Sequence, residues 1–278
     1  MCDNENNTNP YPCGSMIVPN DSEMPYPRIC AHRGLSGACP ENTLPAFASA
    51  IALGADEIEF DIWSTADGEL VSIHDDTLER VSNGFGKVYE HTLDELKKLD
   101  YGEKHSEAFR GLRAVMFEDI LKKFACTVIM NIHVKIWDAE FENPMYEKIA
   151  ELIRKYRCEK HVYMMSVSDK CLEEFHKVAP EIHRCVGWNG VIDKPVEIVD
   201  RAIKLGCEKV QLCKPYFNQE AIDKAHSHGI KCNLFWANDR YEACFFNDMG
   251  IDTVLTDSFI PVSESLKKHW RGENVFKW

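Results

Sequence analysis

The chain has 278 residues, 45% of them hydrophobic, and its 32 basic against 45 acidic side chains leave a formal charge of −13. Length and apolar content suit one large α/β barrel or two ordinary domains. The acidic balance argues against nucleic acid and against an anionic membrane surface, both of which select basic footprints, and no run approaches the roughly 20 apolar residues of a stable membrane insertion.

Residues 1–27 read as a polar, Pro-containing N-terminal arm without a basic-then-apolar export pattern. Twelve cysteines are scattered through the chain, mostly inside apolar runs, and none forms a CxxC pair. Buried free thiols and a cytoplasmic location are the expectation.

From Arg28 onward short apolar runs alternate with amphipathic stretches. "RICAH" predicts a strand and "LPAFASAIAL" a helix; "DEIEFDIW" is the second strand. Residues 64–115 break the rhythm. Too long for a barrel loop, they predict a small hairpin-and-helix insertion, with "TLDELKKL" as its helix, overhanding the C-terminal ends of the strands where barrel enzymes keep their chemistry. "FEDILKKF", "CTVIMNIHVK", "PMYEKIAELIRKY", "HVYMMSV", "DKCLEEFHKV" and "EIHRCVG" resume the alternation. "KPVEIVDRAIKL", "KVQLC", "NQEAIDKAHSH", "IKCNLFW", "RYEACFFNDM" and "DTVLTD" complete it. Eight strands separated by helices predict a single (β/α)8 TIM barrel over residues 28–278, with the insertion after the second strand. An open doubly wound sheet is the alternative, but the chain has no glycine-rich phosphate loop to support it.

The second strand carries the chemistry. Glu57, Glu59 and Asp61 alternate, so they share the face opposite Ile58, Phe60 and Ile62. Glu57 falls toward the closed end of the barrel. Glu59 and Asp61 fall near the ligand-binding end, where two oxygen donors form half a site for a hard divalent cation. A parallel barrel strand has no solvated face on which these acids could simply be exposed. His32 and Arg33 end the neighbouring first strand, and His74 opens the insertion. Two imidazoles beside the acids make an acid/base pair. In "NIHVK", Asn131, His133 and Lys135 alternate again. His133 reads either as a third metal ligand or as a satisfied core histidine, and Lys135 either as a phosphate contact or as a surface lysine.

Taken in order, "AHRG", "PENTLPAF", "GADEIEFDIW", "DGELVSIHDDTLERVSNGFG", "TLDELKKLD" and "FWAND…DMGIDTVLTD" resemble the glycerophosphodiester phosphodiesterase family. The resemblance implies an eight-stranded α/β barrel and metal-dependent hydrolysis of diesters such as glycerophosphocholine to glycerol 3-phosphate and an alcohol. It implies His32 and His74 as acid and base, Glu59 and Asp61 as metal carboxylates, Arg33 and Lys135 as phosphate-holding cations, and Trp236 as a lining of the substrate pocket. From sequence alone Trp236 reads as a core aromatic near a strand end.

The sequence departs from the family at His133, where the family usually carries glutamate. Magnesium or calcium is the family's implied cofactor, whereas imidazole suits manganese or another transition ion. Two other outcomes share this site: a phospholipase-D-like lyase that stops at a cyclic phosphate, and an inert barrel that binds glycerophosphodiesters without turnover. The sequence assigns neither oligomeric state nor head group.

Overall fold

Strands covered on both faces have no polar side, and the apolar runs of this chain accordingly become short strands buried along nearly their whole length. The computed structural model describes residues 17–136, 145–190 and 194–275; residues 1–16 of the expected arm lie outside them. In chain order the strands are β1 (Arg28–His32), β2 (Glu57–Ser64), β3 (Leu70–Ser72), β4 (Val115–Met116), β5 (Ile129–Val134), β6 (Val162–Ser166), β7 (His183–Gly187), β8 (Lys209–Cys213), β9 (Lys231–Phe235) and β10 (Thr253–Thr256). The order β1-β10-β9-β8-β7-β6-β5-β2 is parallel throughout, and pairing of β1 with β2 closes it into an eight-stranded barrel.

The helices are α1 (Leu44–Ala52), α2 (Leu93–Leu96), α3 (Phe117–Phe124), α4 (Met145–Lys155), α5 (Asp169–Val178), α6 (Glu197–Leu205), α7 (Gln219–Ser227), α8 (Arg240–Asp248) and α9 (Phe259–Trp270). All except α2 ring the barrel and bury their apolar stripes against the strands. The sequence reading names no helix after the last strand, and α9 is the one it lacks. Its buried face is Phe259, Val262, Ser263, Ser265 and Leu266, so two serines and Pro261 interrupt the apolar period that marks the other helices.

The insertion extends the sheet rather than standing apart from it. β3 pairs antiparallel with the end of β2 and β4 pairs antiparallel with β3. A separate apolar cluster, including Trp63, Val71, Leu78, Val88 and Leu96, packs beneath them. The stretch expected as a helix from Thr92 makes one turn only. A capping box between Thr92 and Glu95 starts it, and residues beyond Leu96 turn away to build the wall that ends at β4.

At the closed end, residues 17–27 lie across the barrel floor. The Val18 amide donates to the Cys126 carbonyl at 2.9 Å, and the Asp21 amide donates to Lys160 at 2.7 Å. The Asp21 carboxylate reaches Arg28 at 2.6 Å, Lys209 at 3.0 Å and His183 at 2.9 Å. Glu57 takes the other side of Arg28 at 3.0 Å and accepts from the Tyr163 hydroxyl at 2.7 Å. Glu57 is therefore a structural counter-ion at the floor, and the metal-site reading of β2 begins at Glu59. The ten described cysteines are buried free thiols, and no described helix is long and apolar enough to cross a membrane.

Candidate active site

Parallel register sets the site. His32 on β1 lies opposite Glu59 on β2, Glu59 opposite Asn131 on β5, and Asp61 opposite His133. Side chains at matching levels of adjacent strands project together, so His32, Glu59, Asp61 and His133 meet at the barrel mouth without any loop bringing them there. Phe235 at the end of β9 adds an aromatic wall, its ring 5.0 Å from that of His32.

The turn after β1 requires unusual backbone. Arg33 has φ 56° and Gly34 φ 78°, and a Cβ on Gly34 would stand 2.7 Å from the Ala46 carbonyl carbon. Only glycine fits that approach. The turn aims the Arg33 amide at Glu59 Oε2, 3.1 Å away, and places its guanidinium Nε 3.7 Å from Asp61.

Glu59, Asp61 and His133 each offer a ligand atom, all within 4.8 Å of one another. His133 Nδ1 is 3.2 Å from Asp61 Oδ1 and 4.0 Å from Glu59 Oε1. Lys135 Nζ also stands 3.0 Å from Asp61 Oδ1, yet that oxygen is buried without a partner in hydrogen-bond geometry. Burial, reinforced by Asp61, pushes Glu59 up to about 7. Burial opposes ionisation of Asp61 as well, but Lys135 and His133 hold its carboxyl well below the usual range. His133 is pushed down to about 4 by burial and by Lys135, so its imidazole is neutral with a lone pair free. Two carboxylates and one neutral imidazole around a buried, unsatisfied oxygen fit a divalent cation.

The two other histidines are built alike. His32 Nδ1 is 2.6 Å from Asp257 Oδ1, and His74 Nδ1 is 2.6 Å from Asp75 Oδ1. In each ring this leaves Nε2 for the cleft, and both residues line it. Burial opposes the charged form of His32, but Glu59 and the Asp257 bond outweigh it and hold its pKa above the ordinary value. For His74 burial prevails over the attraction of Asp61, with Lys135 and Arg33 adding to it, and its pKa is lowered.

Sequence reasoning did not reach several positioning residues. Asn42, buried and in the left-handed region at φ 57°, donates its amide to Asp61 Oδ2 at 2.9 Å; its oxygen accepts from the Ser72 hydroxyl at 3.1 Å. Asp257, at the end of "VLTD", holds His32 across 225 residues of sequence. A chain of ion pairs runs from His74 through Asp75, Arg80 and Glu41 to Arg33. The only sequence signals for these were the acid directly after His74 in "IHDD" and the strand-ending acid of "TVLTD". Of the expected site residues, the cleft brings His32, Glu59, Asp61, His74 and His133 together. Arg33 and Lys135 flank Asp61. Trp236 is 37% exposed, stacked obliquely beside Phe235 at 5.0 Å on the rim and outside the cleft wall.

Comparison with known proteins gives a consistent picture. Residues 32–260 match the model of the glycerophosphoryl diester phosphodiesterase family. A glycerophosphodiester phosphodiesterase of Caldanaerobacter subterraneus is 34% identical over 239 residues, 82% of this chain and 93% of that protein. A putative glycerophosphodiester phosphodiesterase of Bacillus subtilis is 29% identical over 82% of this chain and 93% of its own length. Among solved structures, an Oleispira antarctica phosphodiesterase in complex with the product sn-glycerol-3-phosphate superposes with a TM-score of 0.76 at 24% identity, covering 87% of this chain and 97% of that one.

Proposed function

This chain belongs to the glycerophosphoryl diester phosphodiesterase family and is a phosphoric diester hydrolase; from that premise we propose that it cleaves glycerophosphodiesters such as glycerophosphocholine to glycerol 3-phosphate and an alcohol, with a divalent cation and two histidines. The observation that carries the reading is the meeting of Glu59, Asp61 and His133 with the Nε2 faces of His32 and His74 around one cleft. The product named in the Oleispira antarctica complex is glycerol 3-phosphate, which supports the same substrate class here.

Glu59, Asp61 and His133 would hold the cation, whose chemistry is to neutralise charge on the phosphate oxygens. Arg33 and Lys135 meet the remaining negative charge, Arg33 through a planar fork that matches two oxygens. One imidazole takes the proton of the attacking oxygen as its bond to phosphorus forms; the other gives a proton to the departing alkoxide as the second bond breaks. Asp257 and Asp75 fix the tautomers through Nδ1, so the exchanged protons are those at Nε2. With water as the nucleophile this is one step. With the substrate's own glycerol hydroxyl, a cyclic phosphate forms first and water opens it afterwards. The wealth of buried free thiols favours a reducing, cytoplasmic setting.

The test is turnover of glycerophosphocholine by the purified protein with magnesium, calcium, manganese or zinc, following glycerol 3-phosphate by coupled assay and phosphorus by NMR. Release of glycerol 3-phosphate is expected. A persistent cyclic species indicates the lyase instead, and no turnover with any ion overturns the reading. His133→Glu is expected to shift metal preference toward magnesium and calcium, because a third carboxylate replaces a nitrogen donor. An unchanged metal profile in that variant removes His133 from the ligand set.

A further inference from the structure

A second cavity, of about 160 Å³, adjoins the cleft at His74, which lines both. It lies under the insertion, between the turn that follows β1 and the chain that runs into β4. Its polar groups are unevenly matched. Glu41 and Arg80 are engaged with each other, and Glu41 also with Arg33. Lys104 and Arg113, by contrast, have backbone carbonyls as their partners: Lys104 donates to Glu79, Arg113 to Lys98 and Leu99. Among the described residues neither pairs with a carboxylate. Tyr101 is 7% exposed, and its hydroxyl is buried without a hydrogen-bond partner.

Lys104 and Arg113 are exposed, and with carbonyls as their hydrogen-bond partners they keep their charge available to a ligand. An ammonium and a guanidinium on the wall of one cavity match a group with several anionic oxygens, such as a phosphate. Resting on the function proposed above, we propose that this cavity is a second phosphate subsite, so that the enzyme prefers glycerophosphodiesters whose alcohol half carries another phosphate. The half is fixed by charge. Glycerol is neutral and the scissile phosphate is met at Arg33, Lys135 and the cation site, so a further negative charge arrives only on the other substituent. That substituent reaches the cavity past His74.

Two substrates differing in one feature test this: glycerophosphoglycerol, with a neutral alcohol half, and 1,3-bis(glycerophospho)glycerol, whose alcohol half bears a second phosphate. Wild-type kcat/KM is expected to be at least tenfold higher for the second, through a lower KM. In the double variant Lys104→Ala, Arg113→Ala the two substrates are expected to converge. Using a ratio within one protein sample removes any loss from partial misfolding. Calorimetric affinity for the bis-phosphate provides a readout that does not need turnover: it is expected to fall at least tenfold in the double variant. Equal kcat/KM for both substrates in wild type, or equal affinity in wild type and variant, overturns the subsite. Failure to hydrolyse either substrate while the affinity difference persists overturns the proposed reaction and leaves the subsite standing.

Discussion

Alanine at His74 is expected to lower kcat with glycerophosphocholine by roughly 10²–10⁴, the range for loss of a general acid or base, at nearly unchanged thermal stability. Both halves follow from its surroundings. The side chain is 32% exposed and its one short bond is to Asp75, so truncation opens no buried cavity and leaves no buried charge alone: Asp75 keeps Arg80 at 2.5 Å. What disappears is the Nε2 site on the insertion side of the cleft. His32 is the less clean target, because it packs on Phe235 and is the imidazole partner of Asp257, so its removal disturbs the rim as well. The measurement is kcat beside an unfolding midpoint for the same preparation. Wild-type turnover in His74→Ala would remove this residue from proton transfer and leave the insertion a binding role only.

The second large effect is on stability and lies at the other end of the barrel. Asp21→Ala is expected to cost roughly 3–5 kcal/mol, the range for breaking a buried ion pair by deleting one partner. Arg28 and Lys209 are 0% and 1% exposed; without Asp21, Arg28 keeps Glu57 as its carboxylate, Lys209 loses its paired carboxylate and keeps the Tyr26 hydroxyl, and His183 loses its acceptor too. Burial opposes ionisation of Asp21, but His183, Lys209 and Arg28 hold its carboxyl far below the usual range. The folded pKa is thus depressed, so the stabilisation is fully present above the unfolded value near 3.9 and is lost as pH falls through the folded one. Denaturant unfolding is expected to show a constant gap between wild type and variant at neutral pH that shrinks in strong acid. A loss under about 1 kcal/mol, the scale of an exposed pair, would mean that the segment from 17 to 27 contributes little to closing the floor.

Strands and barrel helices were readable because most barrel strands centre on a short apolar run and most helices keep an unbroken amphipathic stripe. α9 escaped because serine occupies two of its buried positions. Within the site, Glu59 and Asp61 could be read from alternation alone, since nothing but a cation or basic neighbours explains two acids on a buried strand face. The supports could not. Asp257 reaches His32 and Asn42 reaches Asp61 only after the sheet has closed and the turn after β1 has taken its left-handed shape. No local pattern encodes such long-range meetings. Glu57 shares the alternation of its two neighbours, but its place at the strand start already set it at the closed end; what the sequence did not show is that Arg28 and Tyr163 are its partners there.

The relay of ion pairs from His74 to Arg33 passes through Glu41, which belongs to the barrel, and Arg80, which belongs to the insertion. The insertion is therefore not a portable module. Transplanted onto another barrel it would carry its imidazole along but leave behind the anchor that sets the imidazole's bearing, and the recipient would gain a lid without gaining a proton-transfer group. Evolutionary exchange of this segment among barrels should accordingly track a matched acid at the host's first turn.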